Sequence, residues 1–311
     1  MKYYIGVDGG GTKTAFALFD ENKNVVAQNE TEGSNHENLE GAIPQAAGII
    51  ADGIKGLIAK ANLELSDITG ILMGLAGIDH PYQHDEMQVE LGKLGITGAR
   101  IYNDGFIVIK AGVGAGAGIG YNCGTGTCCN CIDNDGNMCQ IGGFDVLSGD
   151  KGNGHWVGSQ AFRIMYDEIC LGKGKSQITA LMEEKAGIKD RATLLDSIAI
   201  LEDEEKGEGF LRMLIVSFFE AANNDDAEAL KVIEEMAQRG ADFLCGHINK
   251  MNFTDEVINI VLSGSIHTKL PSQKYTDRMA ELVVERTGKK CNFIKLTCAP
   301  VTGCVNWLLE D

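Results

Sequence analysis

A mixed α/β fold built as two halves of related design is what the sequence predicts, on three observations. Strand meanders occur twice, each broken by a glycine-rich turn, "DGGGTKT" at residues 8–14 and "CGTGT" at 123–127. Each meander leads into segments of helical spacing and then into further strands, so the same order of elements is run through twice. The chain has 311 residues, 44% of them hydrophobic, which suffices for a core in each of two domains.

The elements follow in order. Apolar and alternating runs at 3–7, 15–19 and 25–31, separated by the glycine turn and by "DENKN", predict an antiparallel meander. Apolar residues recur at helical spacing from Leu39 to Ala61; "ITGILMGLAG" at 68–77 is a buried strand, 83–94 a helix and "ARIYND" a short strand. The small residues of "AGVGAGAGIG" at 111–120 predict a hinge or domain junction, since they neither fill a core nor favour a helix. A second meander turns at "CGTG" and at "DNDGN", the latter a good hairpin turn. Helices are expected near 153–171, 176–186, 208–222 and 226–249. The chain then offers a strand, "EVINIVLSGS", running into a glycine turn, a helix at 275–287, a strand, "CNFIKL", and a closing helix at 301–309.

Composition narrows the function. No stretch approaches the roughly 20 uninterrupted apolar residues of a membrane span, and the N-terminus leads directly into a strand, so a cytoplasmic protein with no membrane partner is expected. Ten cysteines without framework spacing point to free thiols in a reducing compartment. A net charge of −17 excludes a broad basic surface for nucleic acid, so an anion must be held locally, by backbone N–H groups and a metal ion.

The glycines decide which anion. A P-loop needs its Lys directly after the glycine and a helix after that, whereas Thr12 separates Gly11 from Lys13 and "TAFALF" alternates like a strand. A dinucleotide fingerprint at Gly112, Gly114 and Ala117 lacks the helix that should receive the pyrophosphate. What is left is a pair of hairpin turns, each exposing successive N–H donors, with hydroxyls from Thr12, Thr125 and Thr127. Facing one another across a cleft, they would hold the β- and γ-phosphates of a nucleotide. A third turn, "LSGS" at 262–265, would lie against its adenine or ribose. At Gly126 a positive φ is expected, which a valine would resist.

The motifs "DGGGTKT", "GLAGID", "NDG", "CGTGT", "GGFDVLSGDKGN", "LSGS" and "APVTG", in that order over nearly the whole chain, resemble the actin-like ATPase superfamily, in its BadF/BadG/BcrA/BcrD ATPase and N-acetylglucosamine kinase branch. The resemblance implies two ribonuclease-H-like domains, 1–115 joined by the C-terminal helix at 299–311, and 116–298, closing on ATP and Mg²⁺. It implies that Asp8, Gly9, Gly10, Gly11, Thr12 and Lys13 form the first phosphate loop, Gly124, Thr125, Gly126 and Thr127 the second, and Gly264 and Ser265 the adenosine loop. Asp104 matches the family's catalytic aspartate, a general base for a sugar hydroxyl. Asp8 then lies near Mg²⁺, through water. Asn35 and His36 match an Asn-His pair that contacts sugar, and Gly143, Phe144 and Asp150 complete the sugar site, with Asp104 itself touching the substrate. Phe144 stands where the sugar kinase often has Trp, and Ile141 where the mammalian enzyme has Cys. A small-molecule sugar is the implied partner, and a homodimer is compatible with it.

Other readings compete. Asp104 could cap a helix, Asp145 and Asp150 could be solvated loop acids, Asn35 and His36 could be turn residues, and His155 could pack at a helix start. In a strand, Cys128 and Cys131 point to opposite faces and cannot chelate together, while Cys129 and Cys131 share one face with Cys139 opposite. Packing is therefore expected of the group Cys123, Cys128, Cys129, Cys131 and Cys139. Relatives in the same family use an iron-sulfur cluster to energise a 2-hydroxyacyl-CoA dehydratase, so an ATPase that activates a partner enzyme is the second functional reading. A sugar-sensing protein that kept the fold is the third; no helix-turn-helix segment supports it.

Overall fold

A computed structural model of the chain describes residues 1–203, 205–270 and 272–310. The first half runs β1 (Tyr3–Gly9), β2 (Lys13–Asp20), β3 (Val25–Glu32), α1 (Ala42–Lys60), β4 (Ile68–Leu75), α2 (Pro81–Lys93), β5 (Arg100–Tyr102) and α3 (Asp104–Val113). The second runs β6 (Gly118–Cys123), β7 (Thr127–Ile132), β8 (Met138–Gly142), α4 (Gly154–Leu171), α5 (Gln177–Ala186), α6 (Arg191–Leu201), α7 (Gly207–Asn223), α8 (Ala227–Lys250), β9 (Val257–Ser263), α9 (Gly264–Lys269), α10 (Gln273–Thr287), β10 (Lys290–Lys295) and α11 (Thr302–Leu308).

The strands form two sheets, ordered β3-β2-β1-β4-β5 and β10-β9-β6-β7-β8. In each, a meander of three antiparallel strands gains two parallel strands beside its first member: β1 pairs with β2 and β4, and β6 with β7 and β9. The duplication expected from the sequence is therefore a duplication of topology. Helix α1 is the one helix among the described residues long and apolar enough to cross a membrane. Its apolar residues, among them Ile50, Ile54 and Leu57, are buried in the first core instead.

Helix α3 narrows the stretch 111–120 expected to hold a hinge or domain junction. It extends to Val113, β6 begins at Gly118, and only the short connection between them is free of both. Gly118 and Gly120 belong to β6, where a Cβ would meet Ile109 of α3 at 3.1 Å and 3.0 Å; they are small so that the helix can lie on the sheet. Phe106, Ile107 and Ile109 pack with Leu72 of the first sheet, Ile132 of the second, and Cys304 and Trp307 of α11. Helices α3 and α11 thus form the layer between the sheets. Two further differences are α6, which lay outside the expected helices, and α9, which continues directly from the turn at Gly264.

Candidate active-site cleft

Asp8 lies at the end of β1, opposite Ala15 of β2 and Gly74 of β4, so the first sheet presents it at its rim. Asp104 is the first residue of α3, and the cap before it is Asn103, whose Oδ1 accepts from the Gly105 N–H at 2.9 Å. The capping role open to Asp104 falls to its neighbour. Both acids line a cavity of about 400 Å³, with Asn122, Cys128, Asn130, Ser263 and Gly264 opposite.

Electrostatics mark this place. Burial pushes the Asp104 carboxyl up to about 7, and the charges of Asp8 and Asp79 add to that effect. Burial raises Asp8 to about 6, offset in part by Lys13. The Lys13 ammonium itself pairs with Glu30 at 2.7 Å on the exposed side of the turn. The two carboxylates are a donor set that fits Mg²⁺, which takes one or two carboxylates and completes its shell with water and phosphate oxygens. Among the described residues no group of three or more His, Cys, Asp or Glu is placed to hold a metal by itself.

The two glycine turns flank the acids. In the first, Gly10 donates to Lys13 O at 3.0 Å, while its carbonyl accepts from Ser34 and Asn35 N–H at 3.0 Å and 3.2 Å, stapling residues 33–38 to the turn. In the second, Gly124 N–H donates to Gly126 O at 2.9 Å, and Thr127 Oγ1 donates to Lys151 O at 3.2 Å. Among the described residues, no intramolecular acceptor takes the N–H of Gly11, Thr12, Thr125 or Gly126. These are donors suited to an anion. The expectation of a positive φ at Gly126 is not met, and a Cβ there would meet nothing within 4 Å. The strained glycine is Gly264, with φ +83° and a Cβ position 2.2 Å from Cys123 O.

Gly124 and Gly264 face each other, the Cβ position of the first lying 3.7 Å from the Cα of the second. Beyond them opens a second cavity, of about 920 Å³, entered past Thr125 and Ser265 and walled by Phe162 and Leu211, with Arg212 and Lys269 at its sides. His155 lines it rather than packing at the helix start. The second and third turns therefore meet, with a small cavity on one side that Asp8 and Asp104 line and a large, partly apolar one on the other.

The residues expected to touch sugar fall on two lips, Asn35 and His36 on the first half and Gly143, Phe144 and Asp150 on the second, and none of the five lines either cavity. Asn35 Oδ1 accepts from Glu37 N–H at 3.0 Å, and His36 Nε2 lies 3.4 Å from Gln83 Nε2. The other His36 ring nitrogen is buried without a partner. Asp150 is buried and holds the loop before it, accepting from Gly143 N–H at 2.9 Å, Asp145 N–H at 3.0 Å and the Ser148 hydroxyl at 2.7 Å. It is a loop anchor, not a solvated acid. Phe144 is 60% exposed.

Sequence reasoning missed the residues that connect these lips. Gln83 Oε1 accepts from Asp79 and His80 N–H at 2.9 Å and 2.7 Å, Asp79 accepts from Asn103 Nδ2 at 2.9 Å, and Asn130 Nδ2 reaches Asn103 Oδ1 at 3.5 Å and Gln140 Oε1 at 3.1 Å. The signals were present: Asp79 ends the "GLAGID" motif, Asn103 stands before Asp104, and alternation along β7 puts Asn130 on the face of Cys128.

The cysteines follow that alternation. Cys129 and Cys131 are fully buried in the second core, with Cys139 paired opposite Cys131. Burial raises the Cys131 thiol to about 12 and holds the Cys129 thiol well above its ordinary value, so both stay protonated. All ten cysteines are unpaired.

Comparison with known proteins fits this geometry. The chain is 25% identical over 266 residues to the N-acetyl-D-glucosamine kinase of Dictyostelium discoideum, covering 81% of each. It is 27% identical over 169 residues to an N-acetylmuramic acid/N-acetylglucosamine kinase of Clostridium acetobutylicum, spanning 53% of that protein. The fold matches a candidate N-acetylglucosamine kinase from Chromobacterium violaceum with a TM-score of 0.66 at 20% identity, covering 100% of this chain and 99% of that one. It also matches a Streptomyces griseus ROK family glucokinase, solved with glucose and AMPPNP, with a TM-score of 0.56 at 17% identity over 98% and 97% of the two chains. The two sheets are those of the actin-like ATPase fold, and because the match to the family extends over residues 5–305, the chain belongs to the BadF/BadG/BcrA/BcrD ATPase family.

Proposed function

We propose that this protein is an ATP-dependent sugar kinase acting on N-acetylglucosamine or a close amino-sugar relative. The observation that carries the proposal is Asp104, a carboxylate relieved of capping by Asn103 and raised to about 7, beside two turns with unclaimed N–H donors. The N–H groups of Gly11, Thr12, Thr125 and Gly126 bind the phosphate oxygens, and the larger cavity takes the adenosine against Phe162 and Leu211, with Gly264 and Ser265 at its entrance. Asp8 is the residue that would hold Mg²⁺, which supplies neutralisation of phosphate charge when bound.

Asp104 accepts the proton of the attacking sugar hydroxyl as that oxygen bonds to the γ-phosphorus and the bond to the ADP oxygen breaks. A base near 7 is about half ionised at neutral pH and basic enough to take the proton. Asn35, His36, Gly143, Phe144 and Asp150 orient the sugar. Residues 1–115 with the C-terminal helix, and 116–298, act as two bodies closing on the nucleotide, in the cytoplasm. The relatives' activities on N-acetylglucosamine support the acceptor. N-acetylmuramic acid, the other substrate named for the Clostridium acetobutylicum relative, carries a carboxylate. Burial raises the Cys128 thiol, and the charges of Asp104, Asp150 and Asp79 add to that effect. A carboxylate on the sugar meets the same field, so the uncharged amino sugar is the better acceptor.

Incubation with ATP and, separately, N-acetylglucosamine, N-acetylmuramic acid, glucosamine, N-acetylmannosamine and glucose, followed by mass spectrometry, tests this. A phosphorylated N-acetylglucosamine is expected as the dominant product; no phosphorylated sugar in any reaction overturns the kinase reading.

A further inference from the structure

We infer that Asn130, on the second sheet, is a positioning residue for Asp104, fixing the first turn of α3 from across the boundary between the two halves. The inference rests on reading Asp104 as the general base. Asn130 is 1% exposed and lines the cleft, while its neighbours Cys129 and Cys131 point into the core behind. Its Nδ2 is held by Gln140 Oε1 of β8 at 3.1 Å and reaches Asn103 Oδ1, the atom that caps α3. Asn103 is tied in turn to Asp79, in the loop that leads from β4 to α2. The residue before Asp104 is thus held from both halves.

The residue after Asp104 is held as well. A Cβ at Gly105 would lie 2.2 Å from Asn130 Oδ1 and 2.4 Å from its Cγ, so the glycine of "NDG" makes room for this carboxamide. Asn130 Oδ1 is buried and has no donor. An acceptor left so is a cost to stability, and it is kept where the group serves another purpose. An amide suits the place because it is neutral. A charged side chain would face Asp8, Asp79, Asp104 and Asp150, of which Asp8 has Lys13 as a cation acting on it. Movement of either half carries the turn of Asp104 with it, and misplacement of a base by about 1 Å costs on the order of 10²-fold in rate.

The test is the rate of ADP release, with whichever acceptor the wild-type protein uses, sugar or water, so that the ratio of variant to wild type is read independently of the kinase reading. Asn130→Ala is expected to lower kcat by about 10- to 100-fold with KM for ATP within about threefold. Gly105→Ala, which displaces the carboxamide, is expected to do the same. In the double variant the added methyl meets no carboxamide, so its kcat should equal that of Asn130→Ala alone. Asn130→Ser, smaller but polar, serves if Asn130→Ala fails to fold, and a melting curve for each variant separates folding from turnover. Wild-type kcat in folded Asn130→Ala or Asn130→Ser, or additive losses in the double variant, would overturn the inference.

Discussion

The two sheets share one topology and differ in what stands at their rims. Where β1 ends in Asp8, β6 ends in Asn122 and Cys123; where the first half adds Asp79 and Asp104, the second adds Asn130, Ser263, Gly264 and the hydroxyl of Thr127. Duplication gave two frames, and the chemistry divides between them. On the function proposed above, the first half would supply carboxylates for proton and metal, and the second amides, hydroxyls and a glycine contact for the nucleotide. Such a division explains how a chain of net charge −17 can bind a polyanion: the acids sit together at one rim, where a cation can answer them.

If that division holds, removing the base should have the largest effect. Asp104→Asn keeps the shape of the turn, and kcat is expected to fall by about 10² to 10⁴ with calorimetric binding of ATP and sugar preserved. A kcat within about threefold of wild type would place the base elsewhere. On the opposite rim, Gly264→Ala brings a Cβ against Cys123 O at a φ of +83°, so a cost of about 1–3 kcal/mol is expected, read as a lower melting temperature and weaker ATP binding. Gly126→Ala meets open space, and its melting temperature should match wild type. Equal losses in the two variants would show that Gly264 carries no special strain.

A smaller effect concerns the acceptor. Polar groups built for an acetamido are left unpaired by glucose, so kcat/KM for glucose should be lower than for N-acetylglucosamine by at least about tenfold. Glucose equal to or better than every amino sugar would remove the acetamido from the account.

The smallest is a stability effect with a defined sign. The folded pKa of Asp104 is raised to about 7 from an ordinary 3.8. Its contribution is most favourable below the unfolded value and is lost as pH rises through the folded one. Asp104→Asn, uncharged throughout, should therefore melt above wild type at pH 8, with the gap narrowing as pH falls below about 7 and closing only below the ordinary value of 3.8, at about 2–4 °C for each kcal/mol relieved. A gap that widens toward acid would contradict the burial of that charge.

How much was legible beforehand follows from how each element is surrounded. Helix α1 buries one face, so its apolar residues recur at helical spacing and its place was readable. Helix α3 is covered by both sheets and by α11, so "DGFIVIKAGV" is apolar all round and shows no period. The small residues beside it were read as a hinge or domain junction, although Gly118 and Gly120 are small because α3 lies on them. The acids and glycine turns of the site were readable because their backbone and charge requirements are local. The Asn103–Asn130 contact joins residues 27 apart on different sheets, and no local rule foretells it.

The most direct measurement of the central claim is the initial rate of ADP release from ATP by the wild-type protein, with and without N-acetylglucosamine. A kinase whose base acts on a sugar hydroxyl should release ADP at least about 10²-fold faster with the sugar, because without it the base lacks its positioned acceptor. A rate unchanged by this or any other amino sugar would contradict the account and favour an ATPase whose turnover serves a partner protein.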